Sequence, residues 1–240
     1  GAANPFPTDV PVLPELAQAR ELGKKLVEVA RAEQVDAVAI VTRMDEPLGY
    51  NVGNHLEVEE SADFLRGVRQ EAGLAEVVLV LASWMVFLGG RKKIALGKCR
   101  QACLEMLSSQ APFECFKTML KAQGGDWAAF EKESERLRNW NVYEWTSPND
   151  GFVRGIRARD IGFLLNDIGG GRNRKEDVID PKAGFEMMKK VGDAVKKGEV
   201  VIRAFYRDEA LVKKMSAVFN RAVTIADSAS KAPWVLETLT

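Results

Sequence analysis

Histidine and cysteine are scarce in this chain, and neither sign of charge prevails. His55 is the only histidine in 240 residues, and the cysteines number three. An odd cysteine count does not build a disulfide framework, so a reducing cytoplasm or organelle matrix fits. Cys99 and Cys103 stand four apart on an expected helix, hence on one face. A metal pair there would need further ligands, and His55 is remote, so these cysteines read as packed and reduced. Formal net charge is zero, which argues against nonspecific binding to nucleic acid or to an anionic membrane. No apolar run approaches a membrane span, and no basic-then-apolar leader opens the chain. There is no fixed-period repeat and no low-complexity segment. The start, Gly1-Ala2-Ala3, has no methionine and reads as processed or cleaved. Apolar and charged fractions, 46% and 28%, are ordinary for a globular protein with a real core.

The positive signals begin with helical and strand periodicity. Residues 1–14 hold four prolines and read as an extended lead-in. From Glu15 to Ala32, Leu16, Ala19, Leu22, Leu26, Val29 and Ala30 recur at helical spacing. Val35–Val41 is a β-branched run whose continuity predicts a strand buried on both faces of a parallel sheet. Helices are expected over Leu56–Leu65, over Leu74–Leu88 closed by Gly89-Gly90, over Ile94–Ser108 and over Pro112–Gln123. The character changes after Trp140. Tyr143–Ile156 reads as two strands around the turn Ser147-Pro148-Asn149-Asp150-Gly151. Ala158–Asp167 reads as a short helix, Phe185–Phe205 as strands around Gly192-Asp193 and Lys197-Gly198, and Glu209–Ser228 as a final amphipathic helix. The expected class is therefore α/β. A partial α/β sheet domain with flanking helices occupies 1–140, and a small α+β lobe of barrel-sandwich type occupies 141–240. Ser147–Val153 and Val191–Glu199 look like the two halves of a biotinyl- or lipoyl-type sandwich. Lys189 precedes the Gly-Asp turn, whereas a swinging carrier lysine needs an exposed hairpin tip after it, so a carrier domain is disfavoured.

Two stretches carry the chemistry. Met44-Asp45-Glu46-Pro47-Leu48-Gly49-Tyr50-Asn51-Val52-Gly53-Asn54 leaves a strand and enters a helix, the place where open α/β sheets bind ligands. Its irregular backbone leaves carbonyls able to point inward, and Glu60 on the next helix can bring a carboxylate. Carbonyls plus a carboxylate are hard ligands for a group I or II cation; a plain connection with Glu60 solvated is the competing reading. The second stretch, Ile168–Gly184, combines Gly169-Gly170-Gly171 with a burst of charge over Arg172–Asp177. A lone glycine triplet without G-x-G-x-x-G spacing is a weak phosphate signal.

Both stretches, in this order, resemble the C-terminal half of the thymidine/pyrimidine nucleoside phosphorylases, and the likeness runs from about Leu16 to the end. It implies phosphate-dependent cleavage of a pyrimidine nucleoside to the free base and a (deoxy)ribose 1-phosphate, with phosphate as co-substrate. It implies a potassium site using the carbonyls of Leu48 and Asn51 and the Glu60 carboxylate. The family often has alanine at Asn51, a tolerable change where a carbonyl is the ligand. It also implies that Gly170, Gly171, Arg172, Lys175, Asp177 and Asp180 belong to a loop that orders as the cleft closes and excludes water. His55 replaces a usual alanine and reads as a partly exposed helix-start residue, not a catalytic one. Pro47-Leu48-Gly49-Tyr50 is more pyrimidine-like than purine- or AMP-phosphorylase-like. The family's phosphate-binding Lys-His-Ser/Thr-Gly-Gly motif and its base-gripping residues have no counterpart in this chain. The resemblance thus implies an N-terminal half on a separate chain as partner, joining a homodimer of the complete enzyme. The alternative is a noncatalytic structural subunit.

Overall fold

A computed structural model describes residues 12–90, 92–137 and 140–240. The first half runs α1 (Val12–Ala32), β1 (Ala39–Thr42), β2 (Asn51–Val52), α2 (Asn54–Arg66), α3 (Ala72–Gly89), α4 (Leu96–Leu107), α5 (Ala111–Ala122) and α6 (Trp127–Leu137). It continues β3 (Asn141–Thr146), β4 (Gly151–Ile156), α7 (Ala158–Asp167), β5 (Gly184–Met187), β6 (Ala194–Val195) and β7 (Val200–Tyr206). A 3-10 turn (Glu209–Leu211), α8 (Val212–Ala222), β8 (Val223–Ala226) and β9 (Val235–Leu239) close the chain. The class is mixed α/β. The chain divides into two compact units that are discontinuous in sequence. Among the described residues the larger holds Met44–Arg69 and Phe113–Lys231, and the smaller holds residues 12–43 with Gln70–Pro112 and Ala232–Thr240.

The larger unit contains two antiparallel sheets, ordered β2-β5-β7-β3 and β6-β4-β8. In β7 the sequence Val-Val-Ile-Arg-Ala-Phe-Tyr buries Val201, Ile202, Ala204 and Tyr206. On α8, Met215, Val218, Phe219 and Ala222 fall at i, i+3, i+4 and i+7, and all four are buried. Phe219 meets Phe185 of β5 edge-on at 5.5 Å and stacks on Tyr143 of β3 at 6.3 Å. Ile161 and Leu164 of α7 join the same core. Each such side chain contributes about 1.5–3 kcal/mol through burial. A second aromatic cluster seats α6, whose Trp127 meets Phe113 at 5.3 Å and Phe130 at 5.1 Å.

In the smaller unit β1 pairs antiparallel with β9, Ala39 opposite Leu239, and Glu76 of α3 accepts the Val235 N–H at 3.1 Å. This corrects the expected parallel sheet: among the described residues, β1 has β9 as its ladder neighbour and every ladder is antiparallel. The apolar stripe expected to bury α1 is also not the buried one. Gly23 and Val27 are buried, whereas Leu22, Leu26 and Val29 are exposed. The last helix is shorter than expected, because Val223–Ala226 leaves it to pair with β4. Helix α1 starts at Val12, inside the expected lead-in, whose residues 1–11 lie outside those described. Helix α3 spans 18 residues and is long and apolar enough to cross a membrane by length and composition, which corrects the reading that no run approaches that length. In this structure it packs within the smaller unit, with Val77, Leu79 and Ser83 buried.

Candidate functional site

The first signature stretch folds as a tight loop around one carboxylate. Glu60, buried on α2, accepts the Tyr50 N–H on Oε1 at 2.7 Å and the Asn51 N–H on Oε2 at 3.2 Å. Gly49 lets the carboxylate lie close to the backbone, since a Cβ there would displace it. Asn51 Nδ2 donates to the Leu56 carbonyl at 2.9 Å. Its Oδ1 is buried without a hydrogen-bond partner among the described residues. Burial raises the Glu60 pKa, opposed by the Tyr50 and Asn51 N–H groups and by the charges of Arg69 and Lys190. Burial thus works against its charged form. Each carboxylate oxygen keeps acceptor capacity beyond one N–H. An unsatisfied amide oxygen, a desolvated carboxylate and exclusively oxygen donors are a set that a hard cation fits. The three residues expected to hold one, Leu48, Asn51 and Glu60, thus share one neighbourhood. Among the described residues there is no cluster of three His, Cys, Asp or Glu side chains, so a cation at this loop would depend on carbonyls.

One side chain of this loop was missed in the sequence. Lys190, 4% exposed, donates from Nζ to three successive carbonyls. They are those of Pro47, Leu48 at 3.2 Å and Gly49 at 3.1 Å. Glu46, 5% exposed, stands 3.7 Å from the same ammonium and accepts the Val191 N–H at 3.2 Å. An adjacent Lys189-Lys190 pair reads locally as solvated charge. The turn that inserts one of the two is set by Asp193, whose carboxylate accepts the Lys190 N–H at 2.9 Å. Lys189 points elsewhere and pairs with Glu199 at 2.5 Å, so it is no free swinging arm.

The second signature stretch is locked to the first. Asn54 Nδ2 donates to the Gly170 carbonyl at 3.1 Å, and the His55 N–H donates to the Pro181 carbonyl at 2.9 Å. Gly53, at φ 129°, lets the backbones touch: a Cβ there would lie 2.6 Å from the Ala183 carbonyl. Within the glycine-rich loop, Asp177 accepts the Asn173 and Arg174 N–H groups at 3.0 and 2.8 Å. Arg172 Nε donates to the Asp177 carbonyl at 3.2 Å. Asp180 pairs with Arg207 at 2.8 Å, and its N–H donates to the Gly169 carbonyl. Lys175 and Val178, the latter 91% exposed, project from the tip. Gly170, Gly171, Arg172, Asp177 and Asp180 thus frame a structured turn, and Lys175 stands outside these anchoring contacts.

His55 sits at the start of α2 as expected but is buried, which corrects its assignment as partly exposed. Its ring stacks on Phe130 at 4.2 Å, and Nε2 lies 2.7 Å from Ser134 Oγ. The Ser134 hydroxyl already donates to the Phe130 carbonyl at 3.1 Å, which assigns the donor role to Nε2–H. Burial first, then the Lys182 charge, lowers its pKa against the opposing pull of Glu133. The covering helix α6 went unpredicted. Asp126 accepting the Ala128 N–H at 2.9 Å is the N-cap signal that marks its start.

Residues 152–226 match the family described as the pyrimidine nucleoside phosphorylase C-terminal domain. Across 222 residues the chain is 33% identical to the pyrimidine-nucleoside phosphorylase of Geobacillus stearothermophilus, covering 92% of this chain and 51% of that protein. The corresponding protein of Bacillus subtilis is 35% identical over 221 residues, covering 92% and 50%. The chain belongs to the pyrimidine nucleoside phosphorylase family. It corresponds to the C-terminal half. A Staphylococcus aureus member is 34% identical over 215 residues, covering 88% of this chain and 48% of its own length. The chain therefore spans about half the length of these relatives.

Proposed function

We propose that the chain supplies the C-terminal part of a pyrimidine nucleoside phosphorylase. The reaction is phosphate-dependent cleavage of the N-glycosidic bond to free base and (deoxy)ribose 1-phosphate. The observation that carries this reading is the interlock of the two signature stretches, Asn54 with Gly170 and His55 with Pro181, in a chain alike to named phosphorylases over nine-tenths of its length. The carbonyls of Leu48 and Asn51 and the Glu60 carboxylate would hold a potassium ion, which when bound supplies fixed positive charge and rigidity to the loop. The chain's own part is to shape that wall, to keep the glycine-rich turn poised above it and to exclude water at closure.

The phosphate and the base are gripped by a partner polypeptide, the N-terminal half on its own chain, within a homodimer of the whole enzyme. Exposed apolar side chains in the smaller unit support a partner: Leu22, Leu26 and Val29 of α1, and Leu81, Met85 and Val86 of α3. The β-rich part of the larger unit is read as the family's small barrel-sandwich appendage, and the compartment as cytoplasmic.

The test is the subunit content of the native particle, by native mass spectrometry, with thymidine and uridine phosphorolysis on the same sample. The expected result is a second polypeptide bearing a Lys-His-Ser/Thr-Gly-Gly loop, with activity that Glu60→Ala or removal of potassium abolishes. Robust phosphorolysis by the homogeneous chain alone overturns the divided reading, and activity indifferent to Glu60→Ala and potassium overturns the cation site.

A further inference from the structure

We propose that the smaller unit carries a binding pocket for a small aromatic carboxylate, with Trp84 and Phe87 as its apolar wall and Arg31 as the group that recognises the anion. The oxygen cage around Glu60 belongs to the larger unit, so this site goes beyond the function proposed above and does not depend on it. The pocket encloses about 380 Å³ where the C-terminal ends of α1 and α3 meet the approach to β1 and the end of β9 at Thr240. That volume falls in the range of small-molecule sites, which combine an apolar and aromatic lining with few polar groups. Val27 of α1 is buried in its wall, and Trp84, Phe87 and Leu88 of α3 are half-buried there. Trp84 and Phe87 meet edge-on at 5.5 Å, an arrangement that a flat ligand ring can extend.

The rim is held by backbone hydrogen bonds. The chain leaves α1 and α3 through a left-handed residue that is not glycine, Gln34 at φ 56° and Lys92 at φ 58°, the two such residues among those described. At both exits an N–H reaches back five residues into the helix. Val35 donates to the Ala30 carbonyl at 2.8 Å, and Lys92 to the Phe87 carbonyl at 2.9 Å. These turns bring the Asp36 and Lys92 side chains together, and they pair at 2.5 Å. Arg31, Asp36 and Lys92 are the charged residues of the lining, and all three are exposed at its mouth. Asp36 and Lys92 satisfy each other. Arg31 makes no hydrogen bond or ion pair with any described residue, so its fork of N–H donors is available. A guanidinium holds a carboxylate through two parallel bonds. The ligand's charge then stays at the wet mouth while its ring lies against Trp84. A phosphate dianion is a poorer match, because Lys92 is already held by Asp36.

The test is titration of the full chain with 3-phenylpropionate, with its neutral amide 3-phenylpropanamide and with phenyl phosphate, by calorimetry and by 1H–15N spectra. The expected result is one saturable site for 3-phenylpropionate that shifts the Trp84 indole N–H signal, assigned through Trp84→Phe. The amide is expected to bind about tenfold more weakly, the worth of one charge-assisted pair. Arg31→Gln, at an exposed helix position, is expected to abolish that preference. Ala37→Leu, which fills part of the pocket, is expected to weaken the carboxylate and the amide alike. Should Ala37→Leu not fold, Arg31→Gln and the Trp84 signal still decide. Binding of 3-phenylpropionate that is absent, that Arg31→Gln leaves unchanged or that moves no Trp84 signal overturns the proposal. Tighter binding of phenyl phosphate than of 3-phenylpropionate overturns the carboxylate as the ligand class.

Discussion

The two units of this chain draw on similar apolar residues and spend them differently. In the larger unit the side chains of β5, β7, α7 and α8 close on one another, and Phe185, Phe219, Ile161, Leu164, Met187, Ile202 and Met215 are fully buried. In the smaller unit the most apolar helix, α3, leaves Leu81, Met85 and Val86 exposed, and α1 does the same with Leu22, Leu26 and Val29. The difference teaches that apolar composition measures how much surface a segment would bury, not how much it buries within its own unit. Strands close their own core through antiparallel neighbours. A helix with apolar residues all round needs covering on every side.

This contrast can be broken experimentally. The largest effect is expected from Phe219→Ala, which empties the junction of β3, β5 and α8 and costs about 3–5 kcal/mol, read from urea denaturation of the purified chain. A loss below about 1 kcal/mol would mean that the larger unit is not packed as described. Next comes Glu60→Ala, which strands the Tyr50 and Asn51 N–H groups at about 1–3 kcal/mol each where they stay dry. Amide exchange at those two residues should quicken while β7 stays protected. Smaller is the pH effect of His55. Its pKa is lowered in the folded chain, so below the ordinary value near 6.5 the unfolded chain binds the proton first and stability falls. His55→Phe, which preserves a ring on Phe130 but cannot titrate, should flatten the dependence of the urea midpoint between pH 7.5 and 5.5. An unchanged slope would remove His55 from the account. The smallest effect is expected from Met85→Gln at an exposed position of α3, within about 0.5 kcal/mol. A strong destabilisation there would show that α3 is covered in the isolated chain.

Local pattern carried a good part of this structure. Tyr143–Ile156 gave β3 and β4 because strand residues flank a turn cluster, and Ala158–Asp167 coincides with α7. What failed did so for nonlocal reasons. Val223–Ala226 continues a helical pattern but is claimed by the edge of β4. Val235–Leu239 has no local turn signature and is a strand because β1 needs a partner. At the site, Leu48, Asn51 and Glu60 lie close in sequence and were visible as a group. Lys190 was not, since its acceptors lie more than 140 residues earlier and nothing beside it announces burial. Asp126 offered a helix start that was there to be read.

The span of the Lys190 contacts bears on how the molecule is made. A link across 143 residues encloses Gln70–Pro112, a segment that belongs to the other unit, so ribosomal synthesis delivers the acceptors long before the donor. Nascent Pro47–Gly49 must wait, its carbonyls solvated, until the Gly192-Asp193 turn has emerged. Long-range closures of this kind slow folding more than they cost in equilibrium stability. Maturation of the oxygen cage is therefore expected to be among the last folding events, and the part most sensitive to premature release of the chain.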